Sequence, residues 1–534
     1  MGRAATTARS WPSSPPADRR EGRGGCVSEY EGTTSAQFRS SGHNGVMTDD
    51  ADRLAEPDTD THDSSEQTES LDEQLAEAAA LAATKNREAR FPDSFAEYIG
   101  SGWADRAIVM PPQRHAAEFA AARRRRLSAD FPGLRLIIRA GEPKVRSNDT
   151  DYPFRADSAF SWLTGWGADS EPGAVLVLEP AGDAHTSTLY FRPAAGRDSD
   201  EFYANPAVGE FWIGARPTLD QVAADLGITT LALSDLDLAG EHLDASTSDE
   251  LSRALSEYRL VKDEYEIAQM RLAIDATARG FDDVIRDLDR AVTHSSGERI
   301  VEGVFYTRAR SDGNAVGYDT IAASGPHACI LHWTRNDGPV IPGDLMLMDA
   351  GIELPSLYTA DITRTLPIDG TYTATQRLVY EAVREAADAA FAIVRPGIRF
   401  FEIHDTAMAV IARKTAEWGL LPVSAEDAVK PENQQHRRYM VHGTSHHLGI
   451  DVHDCAQARR ELYRQGELQA GMVFTIEPGL YFQPDDLTVP EEFRGIGVRI
   501  EDDILVTETG AENLSIDIPR SADDVEAWIA RLRG

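Results

Sequence analysis

Four acidic residues and one histidine interrupt apolar segments in the last third of this chain. They are Asp349 in LMLMDAG, Asp361 in YTADITRTLP, His446 in HGTSHHLGIDVHD, Glu477 in GMVFTIEPGLYF and Glu501 after GIGVRI. Burying an ionised carboxylate without a partner costs several kcal/mol, so buried acids in folded proteins are normally paired or bound to metal. Few Lys or Arg residues occur near these acids in the sequence. The fold must therefore compensate their charge, and a pair of divalent cations would do so.

The local sequence pattern predicts how these side chains are presented. In a strand, residues of equal parity share a face, so Asp349 lies at the end of a buried stripe with Leu347. Asp361 follows twelve residues later, and a hairpin through GIELPSLYT brings the two aspartates together. By the same parity, Arg499 and Glu501 point to one side. We therefore predict that the ligand-bearing segments are strands.

The proposed donor set is rich in oxygen and contains a single imidazole. Such a set suits Mn²⁺ or a similar dication better than a thiolate zinc site would. Two ions about 3.5–4 Å apart can hold a hydroxide by lowering the pKa of water from 15.7 toward about 7. With five ligands for two ions, some carboxylates must bridge. This chemistry predicts attack on a peptide carbonyl, with His332, His442 and His453 as candidates for stabilising the oxyanion or moving protons.

Each of these residues taken alone has an ordinary structural explanation. An isolated histidine such as His332 is usually a half-buried side chain, and an aspartate after a strand is usually a turn former. Glu501 has the alternative of a surface charge, with Asp502 and Asp503 continuing a solvated run. The combination, in the order Asp, Asp, His, Glu, Glu, is what makes the pattern specific.

The chain divides into three predicted segments, of which the first two precede the metal-ligand residues. Residues 1–90 form a polar tail that we expect to be disordered. An Arg-rich stretch changes to an acidic one at Met47, which leaves open whether translation starts there or the tail is natural. Residues 91–262 alternate strand-like and helical patterns and predict an α/β domain, with the four arginines at 123–126 as a solvated face.

Residues 263–534 are predicted to form an α+β domain, with helices outside a curved, mainly antiparallel sheet whose inner face carries the acids. An amphipathic helix opens it through DEYEIAQMRLAIDATARGFDDVIRDL, with Met270 and Phe281 among its core positions. Another helix begins after Thr373, where Thr373 and Gln376 have the pattern of a capping box.

Net charge and cysteine content limit the partners and the compartment. The formal net charge of -35 argues against nucleic acid, because phosphate binding needs a basic surface. Three distant cysteines, Cys26, Cys329 and Cys455, offer no disulfide framework, which fits a reducing cytoplasm. No apolar run approaches a membrane span, and the N-terminus lacks the apolar core of a secretion signal. We expect a cytoplasmic protein without nucleic-acid or membrane partners.

The strings around the five residues closely resemble those of the proline-specific aminopeptidases (aminopeptidase P), which belong to the pita-bread metallopeptidase family. The resemblance extends to YPFRADSAFSWLTGW in the first domain. It implies a creatinase-like N-terminal domain and a pita-bread catalytic domain with two divalent ions, Mn²⁺ above all. It also implies a homodimer or homotetramer that hydrolyses peptides with N-terminal Xaa-Pro by attack of a metal-bridging hydroxide.

The same resemblance implies a role for each site residue. Asp349 would bind one ion and His446 the other, with Asp361 and Glu501 as bridges, and Glu477 would bind metal and act as general base. The surrounding residues are His332 near the scissile amide, His453 on the carbonyl oxygen, His442 in proton transfer, and Tyr318, Tyr481 and Arg499 around the proline pocket. The chain departs from the family pattern in the aspartate interval, which is twelve here against eleven, and at Ala159, where the family has an acidic residue.

Two alternative functions stand beside the aminopeptidase. A prolidase of the same family would cleave only Xaa-Pro dipeptides, and the strings FRGIGVRIEDD and HGTSHHLGIDVHD favour the aminopeptidase over it. A non-catalytic pita-bread binding module would have lost its metal ligands, whereas all five residues are present here.

Overall fold

The computed structural model describes residues 91–104, 107–148 and 150–534. The predicted polar tail, residues 1–90, and the alternative start at Met47 lie outside the described residues. We keep 91–262 and 263–534 as the proposed division and describe the elements in that order. Within the described part of the chain, no helix combines the length and apolar character needed to cross a bilayer.

A five-stranded mixed sheet forms the centre of residues 91–262, in the order β6–β5–β4–β1–β7. The strands are β1 (Leu136–Arg139), β2 (Val145–Ser147), β3 (Thr150–Asp151), β4 (Val175–Ala181), β5 (Ala184–Phe191), β6 (Thr229–Ala232) and β7 (Leu243–Asp244). The helices are α1 (Asp93–Gly100), α2 (Ala116–Asp130), α3 (Ser158–Thr164), α4 (Asp200–Ala204), α5 (Glu210–Ile213), α6 (Leu219–Leu226) and α7 (Asp249–Tyr258). β1, β4 and β5 pair antiparallel, whereas β6 and β7 join the edges in parallel. The predicted α/β class of this part is confirmed.

The prediction that the arginines at 123–126 form a solvated face is wrong for two of them. Arg123 and Arg124 are 6% and 7% exposed. Arg123 donates to Asp263 Oδ2 at 2.8 Å and to the carbonyl of Trp162 at 2.9 Å, and Arg124 donates to a main-chain carbonyl of α3 at 2.6 Å. Four successive helical residues cover a full turn, so some must face inward when the helix packs.

Residues 263–534 contain the long helices predicted from the sequence. They are α8 (Glu264–Val292), α9 (Gly297–Asp312), α10 (Ala374–Ala392), α11 (Phe400–Glu417), α12 (Ala425–Ala428), α13 (Arg460–Tyr463) and α14 (Ala522–Arg533). Thr373 and Gln376 form the predicted capping box of α10. Met270 and Phe281 are buried on α8, as its apolar periodicity indicates. α8, α9, α10, α11 and α14 share one hydrophobic core with the strands of this part.

Every strand pair among the described residues of this part is antiparallel. The strands are β8 (Ala315–Val316), β9 (Ile321–Ser324), β10 (Leu345–Ala350), β11 (Ile352–Glu353), β12 (Ile362–Pro367), β13 (Val473–Ile476), β14 (Gly479–Tyr481), β15 (Gly497–Arg499), β16 (Asp502–Val506) and β17 (Ala511–Asn513). They form the sheets β12–β10–β9, β13–β16–β17, β11–β8 and β14–β15. The predicted α+β class with antiparallel pairing is therefore confirmed.

Candidate metal centre

Four of the five candidate ligands lie in strands or next to them, and His446 lies in a loop. Asp349 is inside β10, Asp361 precedes β12, and Glu477 and Glu501 occupy the breaks between β13 and β14 and between β15 and β16. Pro478 has no N–H and cannot continue the ladder after Glu477. Because β13 pairs with β16 and β14 with β15, the two breaks lie side by side. The prediction that the ligand-bearing segments are strands is confirmed for those of Asp349, Asp361, Glu477 and Glu501, with Glu477 and Glu501 at interruptions, and is wrong for His446, which lies in a loop.

A hairpin brings Asp349 and Asp361 together, as the sequence pattern predicts. β10 and β12 pair antiparallel, with β11 in the connection between them. The hydroxyl of Tyr318 lies 2.7 Å from Asp349 Oδ1 and also contacts Asp361 Oδ1. Gly351 allows the tight return, because a Cβ at this position would lie 1.8 Å from the carbonyl oxygen of Ala360.

Asp361, His446 and Glu501 form a group whose potential ligand atoms all lie within 4.8 Å of one another. His446 Nε2 is 3.2 Å from Asp361 Oδ2 and 4.0 Å from Glu501 Oε1. Glu477 Oε1 is 3.8 Å from the same imidazole nitrogen. Thr363 donates to Glu501 Oε2 at 2.6 Å and so holds this carboxylate with its other oxygen toward His446.

Asp349 is held by the guanidinium of Arg499. Its Oδ2 accepts a hydrogen bond from Arg499 Nη2 at 2.5 Å, and the guanidinium is buried. Arg499 also donates to the hydroxyl of Tyr481 at 3.2 Å and to Thr363 Oγ1 at 3.1 Å. Because Thr363 contacts both Arg499 and Glu501, the predicted common face of these two residues is confirmed.

His442 is arranged to act as a neutral imidazole. Burial, assisted by Arg499, lowers the pKa of His442 to about 3. Its Nδ1 lies 2.7 Å from the carbonyl oxygen of Gly443, and its Nε2 lies 2.7 Å from the hydroxyl of Tyr481. A neutral ring that donates from Nδ1 to the carbonyl must accept at Nε2, so Tyr481 is the donor. His442 Nδ1 is also 3.5 Å from Glu477 Oε2.

A single cavity of about 820 Å³ is lined by nearly all the residues that the sequence singled out. They are Tyr318, His332, Asp349, Asp361, His442, His446, His453, Glu477, Arg499 and Glu501. Tyr481 stands behind His442 instead. The ring of His453 packs edge-on against His446, with centroids 4.4 Å apart. His447, which follows His446 in the sequence, is buried and stacks on Phe400.

The charges around the cavity fit divalent cations. Burial raises the pKa of Glu477 to about 7, with Asp361 adding to the effect and His446 opposing it. Burial and neighbouring carboxylates also raise the pKa of Asp361 and of Glu501. Burial alone would lower the pKa of His446, but Asp361 and Glu477 reverse this and raise it to about 9. Crowded carboxylates and one imidazole are a donor set that a divalent ion stabilises.

His446 offers a further fit to a metal. Its Nδ1 lies 3.2 Å from the carbonyl oxygen of His447. Metal-bound imidazoles characteristically donate their second N–H to such an acceptor, which leaves the other nitrogen free to bind. In this tautomer the free Nε2 faces Asp361, Glu477 and Glu501.

Buried acids next to Glu501 were not identified from the sequence. Asp502 and Asp503 are 1% and 0% exposed, so the alternative of a solvated run is wrong. Asp502 pairs with the buried Arg364 at 2.7 Å, whereas Asp503 accepts from the backbone N–H of Asp361 at 3.2 Å. The available signal was the apolar stretch ILV directly after them, which marks this segment as an inner strand.

Two comparisons with known families cover most of the described chain. Residues 268–508 match metallopeptidase family M24, and residues 120–248 match the N-terminal domain of aminopeptidase P. The chain is 50% identical over 468 residues to Xaa-Pro aminopeptidase 1 of Streptomyces coelicolor, covering 83% of this chain and 93% of that protein. It is 32% identical over 442 residues to Xaa-Pro aminopeptidase of Escherichia coli, covering 75% and 95%.

Solved structures agree with these sequence matches. Pseudomonas aeruginosa aminopeptidase PepP aligns with a TM-score of 0.69 at 29% identity, covering 79% of this chain and 100% of that one. The low-pH form of Escherichia coli aminopeptidase P aligns with a TM-score of 0.68 at 30% identity, covering 79% and 100%. The expected pita-bread domain after an aminopeptidase P N-terminal domain is confirmed.

Proposed function

The chain belongs to metallopeptidase family M24, and on this premise we propose that it releases the N-terminal residue from peptides with proline in the second position. The observation that carries the proposal is the cavity of about 820 Å³ in which five potential metal ligands face three histidines. Relatives 50% identical to this chain are Xaa-Pro aminopeptidases. The strings FRGIGVRIEDD and HGTSHHLGIDVHD also favour an aminopeptidase over a prolidase.

We propose that two divalent ions, Mn²⁺ first among them, bind at this cavity. Asp361 and Glu501 would bridge the two ions, with His446 on one ion, Asp349 on the other and Glu477 completing the set. When bound, the ions would make water acidic enough to supply a nucleophile at neutral pH and would polarise the scissile carbonyl. The positions of Asp361, His446 and Glu501 within 4.8 Å support this assignment.

Glu477 is our candidate for the general base. Its two carboxylate oxygens lie 3.8 Å from His446 Nε2 and 3.5 Å from His442 Nδ1, so it stands between a ligand candidate and a proton carrier. The hydrogen bond from Tyr481 to His442, and that from Arg499 to Tyr481, hold this neutral imidazole in place. Glu477 therefore lies beside a neutral imidazole whose orientation is fixed by its hydrogen bonds to the Gly443 carbonyl and the Tyr481 hydroxyl.

The remaining candidates act on the substrate. We assign His332 to the scissile amide and His453 to the carbonyl oxygen, because both line the cavity and His453 packs on His446. Tyr318 and Arg499 would shape the proline pocket, with Tyr481 behind them. A dedicated pocket is expected since a proline peptide bond is a tertiary amide without an N–H.

We extend the proposal to the cellular compartment, the oligomeric state and the binding partners of the protein. The free thiols of Cys329 and Cys455 are buried and support a reducing, cytoplasmic location. We propose a homodimer or homotetramer that acts on peptides and binds neither nucleic acid nor membrane, in keeping with the net charge of -35.

A peptide length series tests the function directly. Purified protein with added Mn²⁺ should release the first residue from Xaa-Pro-Yaa and longer peptides, and should leave matched peptides with alanine second uncleaved. Glu477→Gln should fold normally and lose about 10²–10⁴-fold in kcat. Activity confined to Xaa-Pro dipeptides would identify a prolidase, and unchanged turnover in Glu477→Gln would remove Glu477 from the mechanism.

A further inference from the structure

The two cavity histidines His446 and His453 are joined by a loop without regular structure. Residues 447–455 contain neither helix nor strand, and their one ladder contact is the bridge between His447 and Phe474. Its internal backbone hydrogen bonds run from Gly449 N–H to the Asp451 carbonyl and from Asp454 N–H to the His447 carbonyl, and further backbone bonds join it to Val473 and Thr359. Cys455 also adopts a left-handed φ of 61°, which a non-glycine residue holds only where its surroundings impose it. The position of His453 therefore depends on what holds this loop from outside.

One attachment is a buried ion pair with the segment that links the two domains. Asp454 Oδ2 accepts from Lys262 Nζ at 3.0 Å, and Asp454 Oδ1 accepts from Arg259 Nε at 3.1 Å. Lys262 also donates to the carbonyl of Arg259 at 2.6 Å. A Cβ on Gly449 would lie 2.4 Å from Asp454 Oδ2 and 2.8 Å from Lys262 Cε, so the loop closes tightly around this pair.

A second attachment comes from the N-terminal domain. Arg155 Nη2 donates to the carbonyl of Ile450 at 2.6 Å, and Arg155 Nη1 lies 3.2 Å from Asp451 Oδ1. Ser158, the first residue of α3, donates to the same Asp451 oxygen at 2.6 Å. The Nε of Arg155 meanwhile donates to Glu353 Oε2 at 2.7 Å.

The guanidinium of Arg155 therefore joins two parts of the metal centre. Glu353 is in β11, inside the hairpin that carries Asp349 and Asp361, and Ile450 lies between His446 and His453. Glu353 is buried and fixed further by Asn314, which donates to Glu353 Oε1 at 2.9 Å. A displacement of Arg155 would disturb the loop relative to the aspartates.

We propose that Arg155, Lys262, Asp451 and Asp454, the loop clamp, are positioning residues that set His453 and His446 against the aspartate hairpin. None of the four lines the cavity, so they act through the histidines and not on the peptide. In this arrangement the N-terminal domain contributes to catalysis through Arg155 and Ser158. The inference rests on the proposed function, because it assigns the loop clamp to the same reaction.

The expected loss of activity can be estimated from substitutions of positioning residues in other enzymes. Removing a hydrogen-bonded neighbour of a metal or catalytic ligand typically costs about 10–100-fold in activity. A histidine that acts on the carbonyl oxygen in the transition state contributes to kcat more than to substrate binding. We therefore expect Arg155→Met and Asp451→Asn to lower kcat about 10–100-fold and to leave KM little changed.

A double-mutant cycle separates positioning from general destabilisation. In the His453→Ala background, Arg155→Met should have a smaller effect on kcat than in the wild-type background, because one of the two residues through which it acts is gone. Effects that multiply in the double variant would overturn the proposal. Ser158→Ala, which removes one hydroxyl only, serves the same cycle if Arg155→Met does not fold, with a smaller loss expected.

Hydrogen exchange of the metal-free protein provides a readout that needs no turnover. Amides of residues 447–455 should exchange faster in Arg155→Met and in Lys262→Met than in the wild-type chain. The matched control is Arg216→Met, which removes a buried guanidinium of the same domain that pairs with Glu171 and Glu201. It should leave loop exchange and kcat unchanged.

The two proposals fail in different ways. A wild-type chain that cleaves no proline peptide overturns the proposed function, while the exchange experiment still decides whether the loop clamp holds the loop. Wild-type kcat and wild-type loop exchange in folded Arg155→Met and Asp451→Asn overturn the loop clamp, while the peptidase activity stands.

Discussion

Gly351→Ala should inactivate the site by separating the two aspartates, although the glycine itself binds nothing. Gly351 lies between β10 and β11, two residues after Asp349. The Cβ of an alanine would lie 1.8 Å from the carbonyl oxygen of Ala360, the residue before Asp361. β10, which carries Asp349, and β12, which follows Asp361, are both buried in the same sheet. Neither strand can therefore shift freely. The methyl group must push apart the chain segments that carry the two carboxylates.

This distance sets the size of the expected effect. Real Cβ atoms essentially never approach another heavy atom within 3.0 Å, so the two backbones must separate by about 1 Å or more. Overpacking of this kind destabilises a protein by about 1–3 kcal/mol. A misplacement of about 1 Å in a reacting group costs on the order of 100-fold in rate. We therefore expect kcat/KM to fall at least about 100-fold, out of proportion to the loss of stability.

Steady-state kinetics on an Xaa-Pro-Yaa peptide and urea denaturation together measure both effects. Gly303→Ala is the control, because Gly303 lies in α9 with no atom within 4 Å of the added Cβ. That control should raise the free energy of unfolding by up to about 1 kcal/mol and leave kcat/KM unchanged. Wild-type kcat/KM in folded Gly351→Ala would refute the reasoning, since the hairpin would then tolerate the displacement.

Three further predictions concern metal, the interior and pH. A chelator should abolish peptidase activity and added Mn²⁺ should restore it, with far-ultraviolet circular dichroism unchanged throughout; activity that survives complete metal removal would contradict the metal proposal. Arg364→Met should lower the free energy of unfolding, measured by urea denaturation, by about 3 kcal/mol, because the buried Asp502 would keep only Arg520 as a paired cation. A urea midpoint equal to that of the wild-type chain would contradict a stabilising role of the Arg364–Asp502 pair. Burial, with the positive charge of Arg437, lowers the pKa of His404 to about 4, so its contribution to stability is full above the unfolded pKa of about 6.5 and is lost as pH falls toward 4. His404→Gln should therefore lose less stability than the wild-type chain between pH 7 and pH 5, and equal losses would contradict the assignment.

Local patterns in the sequence predict much of this structure because they depend on neighbouring residues. The capping box of Thr373 and Gln376 and the apolar periodicity around Phe281 are short-range signals, and both are confirmed. The hairpin of Asp349 and Asp361 is similarly local, since the two aspartates are separated by one turn. The breaks at Glu477 and Glu501 were not predicted, because whether a ladder continues past a residue depends on the partner strand as well as on the segment itself.

Buried charges are harder to predict because their partners are distant in the sequence. Arg123 occurs in a run of four arginines that has the appearance of a solvated face, yet it pairs with Asp263, which is 140 residues away. In the sequence, Asp502 and Asp503 look like a continuation of an acidic surface. In the structure, Arg364 pairs with Asp502, and the backbone N–H of Asp361 donates to Asp503. A charge is buried only where the fold supplies its counterpart, and nothing local encodes that pairing.

The same reasoning explains why the five-residue site was visible in the sequence while the loop clamp was not. The ligand candidates stand out because each one violates the apolar character of its own segment. For Arg155 and Asp451, by contrast, nothing in the neighbouring sequence identifies the partner, and the contact of Arg155 with Ile450 spans 295 residues. Residues that bind a metal are marked by the cost of burying them, whereas residues that position those ligands are marked only by the geometry of the folded chain. We therefore expect unrecognised contributions to catalysis in this protein to lie at the contact between its domains, where such long-range pairs meet the loop that carries His446 and His453.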